Sequence, residues 1–189
     1  GKEEFQYAMH QHARAYFGEA SERYARPIVT TKYTEPEDMF DSHSYQKGSC
    51  VLHAMRGTLG DELFFKSIRH YVKRHAGGLV ETTDLKEAIE EATGRDLEWF
   101  FRQWVHSPGH PTFEVSWSWD GSTSCVVLGV KQTQKTNNEV PVFRAAIDVV
   151  LMGDDAGCEG RRVEVTGKEH TFYISARKRP RCVLFDPDN

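Results

Sequence analysis

The feature that most constrains the fold of this chain is a change in hydrophobic periodicity at the segment Pro108-Gly-His-Pro111. Upstream of this segment, apolar residues recur at intervals of three or four, which is typical of amphipathic helices. Downstream of it, apolar and polar residues alternate, which is typical of strands with one buried face. The two prolines prevent a helix from continuing through the segment. The sequence therefore predicts two units, a helical one over residues 1–109 and a β one over residues 110–189.

The upstream unit is predicted to contain a series of amphipathic helices. They span residues 2–24, 41–60, 61–76, 83–93 and 96–107. Pro36 disfavours helix at the residue before it, so residues 33–40 are predicted to form a loop with a short turn. Thr83-Asp84 is the expected N-terminal cap of one helix, and Gly94 is its expected stop. The aromatic run Trp99–Trp104 supplies enough apolar surface to anchor the last helix in a core or against a second domain.

The downstream unit is predicted to be a small antiparallel β-sandwich. Residues Thr112–Trp119 alternate strictly, and Asp120-Gly121 is a hairpin signal before a second strand at Ser124–Val130. Further strands fit residues 142–151, 161–165, 170–174 and 182–185. Five or six short strands separated by turns are typical of a sandwich. The predicted fold class is therefore α+β, with a helical unit followed by a β-sandwich.

The composition indicates a globular chain. It has 189 residues, of which 39% are hydrophobic and 28% charged, and its formal net charge is −4. No apolar run approaches the length of a membrane span, and the first residues lack a signal-peptide core. The basic clusters Arg161-Arg162 and Arg177–Arg181 are short, so no nucleic-acid partner is expected. Because the chain begins without Met, inside a predicted helix, we expect further sequence upstream.

The cysteines point to reduced thiols. There are four of them, widely separated: Cys50, Cys125, Cys158 and Cys182. They form no C-x-x-C pair and no dense framework, so disulfides are not expected. This pattern favours a cytoplasmic location, although the compartment stays open at this point.

The helix predicted over Asp41–Gly60 opens on a tyrosine, Tyr45. Its apolar residues recur at helical spacing and predict one buried stripe, made of Val51, Leu52, Met55 and Leu59. Tyr45 lies at the end of the helix and outside this stripe. A phenol in that position can donate its O–H to an oxygen that gains negative charge during attack on a peptide bond. The alternative is a structural tyrosine at the rim of the core, and the helix alone leaves both readings open.

A series of short motifs runs through the whole chain in a fixed order. They are Tyr45-Gln-Lys-Gly48, Leu59-Gly60-Asp61 with Phe64-Phe65, Thr82–Leu85, Gly94–Leu97, Trp99–Trp104, Pro108–Pro111 and Asp186-Pro187. In this order and spacing they resemble the membrane alanyl aminopeptidase family, which belongs to the gluzincin zinc metallopeptidases. The resemblance covers essentially the whole chain.

The resemblance implies a particular place in a longer enzyme. In this family a thermolysin-like catalytic domain binds zinc through H-E-x-x-H and a later Glu, and a β-sandwich follows it. Residues 1–109 would be the helical C-terminal part of the catalytic domain, and residues 110–189 the β-sandwich domain. Tyr45 falls on the family's catalytic tyrosine, which donates to the oxyanion of the tetrahedral intermediate. The implied substrate is a peptide with a free N-terminus, which acidic residues upstream would recognise.

Polar residues that flank Tyr45 are candidates for part of the wall of the substrate cleft. They are Asp41, His43 and Gln46. The alternative is that all three are solvated loop residues, since polar side chains dominate helix entries. We favour this second interpretation from the sequence.

The zinc-binding motif of the family is absent, because no H-E-x-x-H occurs in these 189 residues. The histidines offer no replacement. His10 and His12 are two apart on a helix and point to different faces, and Pro108 interrupts the helix that would align His106 with His110. We therefore expect zinc ligands outside this chain, no zinc in this fragment, and no peptidase activity from it alone.

The same resemblance implies a missing partner, the upstream half of the catalytic domain. Without it, apolar stripes on the first two helices would be uncovered, so self-association of the fragment is expected. Two other classes of function stay open. One is a non-catalytic interaction scaffold of the same fold, and the other is a stand-alone binding module that uses an edge or loop face of the sandwich.

Overall fold

A computed structural model of the protein describes residues 1–153 and 158–188. The chain divides into two compact units, Gly1–Gly109 and His110–Asn189. We call them the helical unit and the β unit. Within the described residues, the first contains helices and turns and the second contains strands, so the predicted α+β fold class is confirmed. Among the described residues, none of the helices combines the length and the hydrophobicity that a membrane span requires.

Each helix predicted for the helical unit is present. The α-helices are α1 (Lys2–Glu22), α2 (Gly48–Leu59), α3 (Asp61–Arg74), α4 (Thr82–Thr93) and α5 (Glu98–Trp104). A 3₁₀ turn at Pro36–Met39 lies in the predicted loop. The predicted tyrosine helix is divided in two, because a π-helical turn at His43–Lys47 precedes α2. We call residues His43–Lys47 the tyrosine turn.

Acidic side chains set two helix starts a few residues away from the predicted ones. α4 begins one residue early because Glu81 is its N-cap, and the Glu81 amide donates to Asp84 Oδ2 over 2.7 Å. α5 begins two residues late because Asp96 Oδ1 accepts the amide of Glu98, over 2.8 Å, before the helix starts. Gly94 ends α4 in the left-handed conformation with φ +68, as predicted.

The core of the helical unit is formed by α2, α3, α4 and α5. Its buried members are Val51, Met55, Leu59, Phe64, Ile89, Leu97, Phe100, Phe101 and Val105. The aromatic run therefore anchors α5 in this core, which is the first of its two predicted anchors, with Phe100 and Phe101 almost completely buried. One residue assigned to the buried stripe of the predicted tyrosine helix is not buried, because Leu52 is 39% exposed in this structure.

The β unit is a sandwich of two antiparallel sheets. Its strands are β1 (Phe113–Asp120), β2 (Cys125–Gln132), β3 (Ala145–Met152), β4 (Cys158–Val165), β5 (Glu169–Ser175) and β6 (Cys182–Phe185). One sheet has the order β1-β2-β5 and the other β4-β3-β6. The alternating residues of β2 and β3 point inward from the two sheets and share one apolar core.

Strand β3 begins three residues later than Val142, the predicted start. The backbone before it is hydrogen-bonded to a side chain and not to a neighbouring strand. Gln132 is only 1% exposed, and its side-chain amide forms hydrogen bonds with both the carbonyl and the N–H of Phe143. The distances are 2.7 Å from Gln132 Nε2 to the Phe143 carbonyl and 2.9 Å from the Phe143 amide to Gln132 Oε1. The same Nε2 donates to the Gly167 carbonyl over 3.0 Å, and Oε1 accepts from Gln134 Nε2 over 2.8 Å.

Replacing Gln132 with Met should destabilise the β unit by about 2 to 4 kcal/mol, because it removes these bonds while keeping the side-chain volume. Urea unfolding measures the loss. The matched control is Lys131→Met, an exposed neighbour on the same strand, which should change stability by less than about 0.5 kcal/mol. Equal effects of the two substitutions would contradict a structural role for the Gln132 amide.

Candidate active site

The tyrosine turn is wider than an α-helical turn. The Lys47 amide donates to the Ser42 carbonyl, five residues back, over 2.8 Å. The Tyr45 amide donates to the Asp41 carbonyl over 3.2 Å. Single π-turns at the start or middle of helices are uncommon and are found frequently at functional sites. The turn is therefore a candidate functional feature, together with the tyrosine that it carries.

Tyr45 projects away from the core. Its side chain is 57% exposed, and its ring centroid lies 6.1 Å from that of Phe40, which is 72% exposed. The buried stripe of α2 consists of Val51, Met55 and Leu59, so Tyr45 lies outside it. A phenol in this position is open to a ligand rather than held in a packed core.

Two carboxylates hold the backbone amides just before Tyr45. Asp41 Oδ1 accepts from the amides of His43 and Ser44, each over 3.0 Å. Glu19 Oε2, on α1, accepts from the amide of Ser42 over 2.8 Å. The first amides of a helix lack partners within the helix and carry partial positive charge, which negative side chains stabilise. The start of the turn is therefore fixed from two directions.

Arg26 holds the Asp41 carboxylate in a bidentate ion pair. Arg26 Nε donates to Oδ2 over 2.8 Å and Nη2 to Oδ1 over 2.5 Å. The hydroxyl of Tyr24 also donates to Oδ2, over 3.0 Å. Burial acts to raise the pKa of Asp41, but the hydrogen bonds from Arg26, Ser44 and Tyr24 and the charge of Arg26 lower it below its usual value. Asp41 therefore remains an anion.

His43 is completely buried behind the turn. Its ring stacks on Tyr24 with centroids 5.3 Å apart and meets the edge of Tyr16 at 5.2 Å. Its Nδ1 lies 3.3 Å from Glu19 Oε2. Burial is the main factor that lowers the pKa of His43, and the charge of Arg26 acts in the same direction.

The favoured sequence interpretation of the three flanking residues as solvated is wrong for Asp41 and His43. The side chains of both are buried, because a network from α1 and the following segment reaches them. His43 has two acidic partners, since Glu19 and Asp41 both approach its ring. Gln46 is half-buried, and its carbonyl accepts from Ser49 Oγ over 2.9 Å.

Lys47 ends the tyrosine turn and is only 2% exposed. Its Nζ donates to the Ser107 carbonyl over 3.3 Å and lies 5.6 Å from the centre of the Tyr16 ring. Burial, and then repulsion from Arg26, lower the pKa of Lys47 from 10.5 to about 8. The ammonium group thus links the turn to the segment that follows α5.

Sequence reasoning missed most of this network. From the sequence, no site role was assigned to four members of the network, which are Glu19, Tyr24, Arg26 and Lys47. Arg26 lies in the break after α1, a non-periodic stretch that offers no pattern linking it to Asp41. Lys47 carried a signal, because it lies four residues before Val51 and therefore on the face of the predicted buried stripe.

One cluster in the described residues has the composition of a metal site. Ligand atoms of Glu19, Asp41 and His43 lie within 4.8 Å of one another. Both Asp41 oxygens are already bound by the Arg26 guanidinium, so a cation there would meet a fixed positive charge. These residues therefore do not fit a catalytic zinc, and we interpret them as a hydrogen-bonded ion network.

Comparison with known proteins places the chain in a family. Residues 2–104 match the model of the peptidase family M1 domain. Aminopeptidase N of Streptomyces lividans is 41% identical over 70 residues, which are 37% of this chain and 8% of that protein. Leucyl aminopeptidase of Saccharolobus solfataricus is 33% identical over 155 residues, which are 75% of this chain and 20% of that protein.

The fold agrees with these sequence matches. The crystal structure of Legionella pneumophila aminopeptidase A in complex with aspartic acid superposes with a TM-score of 0.69 and 22% identity, covering 82% of this chain and 18% of that chain. At this level of identity the likeness concerns the fold alone. The chain belongs to peptidase family M1. It spans a fifth or less of the length of the relatives named here.

The buried Lys47 predicts a pH dependence of stability. Its pKa is about 8 in the folded chain against 10.5 for an ordinary lysine, so the unfolded chain binds more protons between these values. Stability should therefore rise with pH, by about 2 kcal/mol between pH 7 and 9.5 from this group alone. Urea unfolding at both pH values measures the rise.

Lys47→Met should remove this rise, because Met fills the same space without a titrating group. The exposed Lys66 of α3 provides the control, and Lys66→Met should leave the rise in place. A Lys47→Met variant whose stability still rises as the parent's does would show that the ammonium group is not the cause.

Proposed function

We propose that this chain is part of a zinc-dependent aminopeptidase that hydrolyses N-terminal residues from peptides, and that Tyr45 is its catalytic hydrogen-bond donor. The observation that supports this most is an exposed phenol on a turn held by two carboxylates, in a chain of peptidase family M1. The O–H of Tyr45 donates to the substrate carbonyl oxygen as that oxygen gains charge. A donor fixed in advance stabilises the developing charge without reorganisation.

The residues around Tyr45 have two roles in this proposal, since some stabilise the turn and others border the substrate cleft. Asp41 and His43 are turned inward and stabilise the turn, so they do not form the wall of the cleft in this proposal. Gln46 stays a candidate for that wall, because it is half-buried and neighbours Tyr45. The exposed ring of Phe40 lies on the same side as Tyr45 and gives the cleft an apolar border.

The zinc ion of the family would be held by residues outside these 189. The motif is absent here, and in the one group of three possible ligands found among the described residues, Asp41 is bound to Arg26. We propose the remainder of the catalytic domain as the partner of the helical unit. Exposed aromatic side chains on α1 support this, since Phe5, Tyr7 and Phe17 are all more than a third exposed.

The free cysteines support a reducing compartment, and on that ground we propose a cytoplasmic location. All four are unpaired as thiols in the structure.

Replacing Tyr45 with Phe in the complete enzyme should lower kcat by about 10² to 10³, because one oxyanion donor is lost. KM, zinc content and melting temperature should change little, since the ring and its surroundings remain. Steady-state kinetics on an aminoacyl anilide measures the effect.

The control for this substitution is Tyr33→Phe, which removes the hydroxyl of another exposed tyrosine in the helical unit. It should retain the parent kcat. If Tyr45→Phe also retained it, or lost activity only in step with a lower melting temperature, the catalytic assignment would be wrong.

The 189-residue chain on its own should bind no stoichiometric zinc and release no amino acid from aminoacyl anilides. The reason is that its residues supply a donor to the oxyanion but no set of zinc ligands. Metal analysis after dialysis and a chelator-controlled peptidase assay test both statements. One tightly held zinc per chain, together with chelator-sensitive activity, would overturn this part of the proposal.

A further inference from the structure

We infer that Arg26 is a positioning residue for Tyr45, acting through its ion pair with Asp41, and this inference rests on the proposed function of Tyr45. The packing of the Tyr45 ring does not explain the direction in which its hydroxyl group points. The ring of Tyr45 is exposed, and its neighbour Phe40 is more exposed still. The direction of the side chain is therefore set by the backbone of the tyrosine turn.

The backbone at the start of that turn depends on carboxylates. The amides of Ser42, His43 and Ser44 each donate to a carboxylate oxygen, from Glu19 or Asp41. The next amide, that of Tyr45, donates to the Asp41 carbonyl. A rotation of the Asp41 side chain would release two of these amides and loosen the turn where Tyr45 is attached.

Arg26 prevents this rotation because every N–H of its guanidinium is used. Nε and Nη2 hold the two oxygens of Asp41, and Nη2 also donates to Ser44 Oγ over 2.9 Å. Nη1 donates to the carbonyls of Pro27 and Ile28, over 2.7 and 2.9 Å. The planar group is thus fixed on one side by backbone and on the other by the tyrosine turn. A lysine has neither the fork nor the five donors.

The charges behind the turn also require Arg26. Glu19 and Asp41 are both within 3.5 Å of the His43 ring, so the two carboxylates share one small buried region. The guanidinium balances them there, because burial disfavours protonation of His43. Loss of Arg26 would leave two like charges close together with less compensation, which favours displacement of Asp41.

A double-mutant cycle in the complete enzyme tests the inference, using Arg26→Lys, Tyr45→Phe and the two combined. Arg26→Lys should lower kcat by about 10- to 100-fold with little change in KM, as expected for a displaced catalytic group. In the Tyr45→Phe background the same substitution should lower kcat by less than about 2-fold, because no hydroxyl is left to misplace. If Arg26→Lys lowered kcat by the same factor in the Tyr45→Phe background as in the parent, the inference would be wrong.

The matched control is Arg56→Lys. Arg56 forms a bidentate pair with Asp61, with both distances 2.7 Å, but it lies at the junction of α2 and α3 and makes no hydrogen bond to the tyrosine turn in the described structure. Its substitution should leave kcat within about 2-fold of the parent value.

Hydrogen exchange separates this inference from the proposed function. In the complete enzyme, amides of residues 42–47 should exchange at least about 10-fold faster in Arg26→Lys than in the parent or in Arg56→Lys, because their acceptors are released. If Tyr45→Phe retained full activity, the proposed function would be wrong. If amide exchange were unchanged in Arg26→Lys, the inference that Arg26 positions Tyr45 would be wrong, whatever the outcome for Tyr45→Phe. If Arg26→Lys does not fold, Asp41→Asn takes its place in the same cycle, since it removes the ion pair while keeping an oxygen for the amides.

Discussion

The ion pair between Arg26 and Asp41 determines the local structure at the start of the tyrosine turn. Burying two charges is costly, and such a pair is stable only when its geometry is good and its remaining donors and acceptors are satisfied. Both conditions are met, since the guanidinium uses all its N–H groups and the carboxylate accepts from Tyr24 and two backbone amides. The pair thereby connects the segment after α1 to the turn that carries Tyr45.

This arrangement explains how Tyr45 is fixed and still accessible. A side chain held by packing is surrounded by protein, which leaves no room for a substrate. Here the rigidity lies in the backbone and in the buried ions behind it, so the phenol itself stays exposed. A donor to a developing oxyanion needs this combination, because it must be oriented before the reaction and yet contact the substrate.

The sequence predicted the fold better than the site. Helices and strands follow from periodicity, and Gly94 ends α4 because only its missing Cβ allows the left-handed conformation easily. The network around Asp41 depends on contacts between residues 15 to 24 positions apart, through a loop with no periodic pattern. The exposed Leu52 shows the same limit, since helical spacing places a residue on a face but does not show what covers that face.

Several features that are costly for stability lie within five residues of each other. The tyrosine turn is π-helical, Lys47 is buried with a lowered pKa, and His43 Nε2 is buried with no hydrogen-bond partner among the described residues. A buried polar atom without a partner and a buried ammonium group with a lowered pKa both call for an explanation beyond packing. Local departures of this kind concentrate where function requires them. All three features lie in the turn that carries Tyr45, the residue for which we propose the catalytic role.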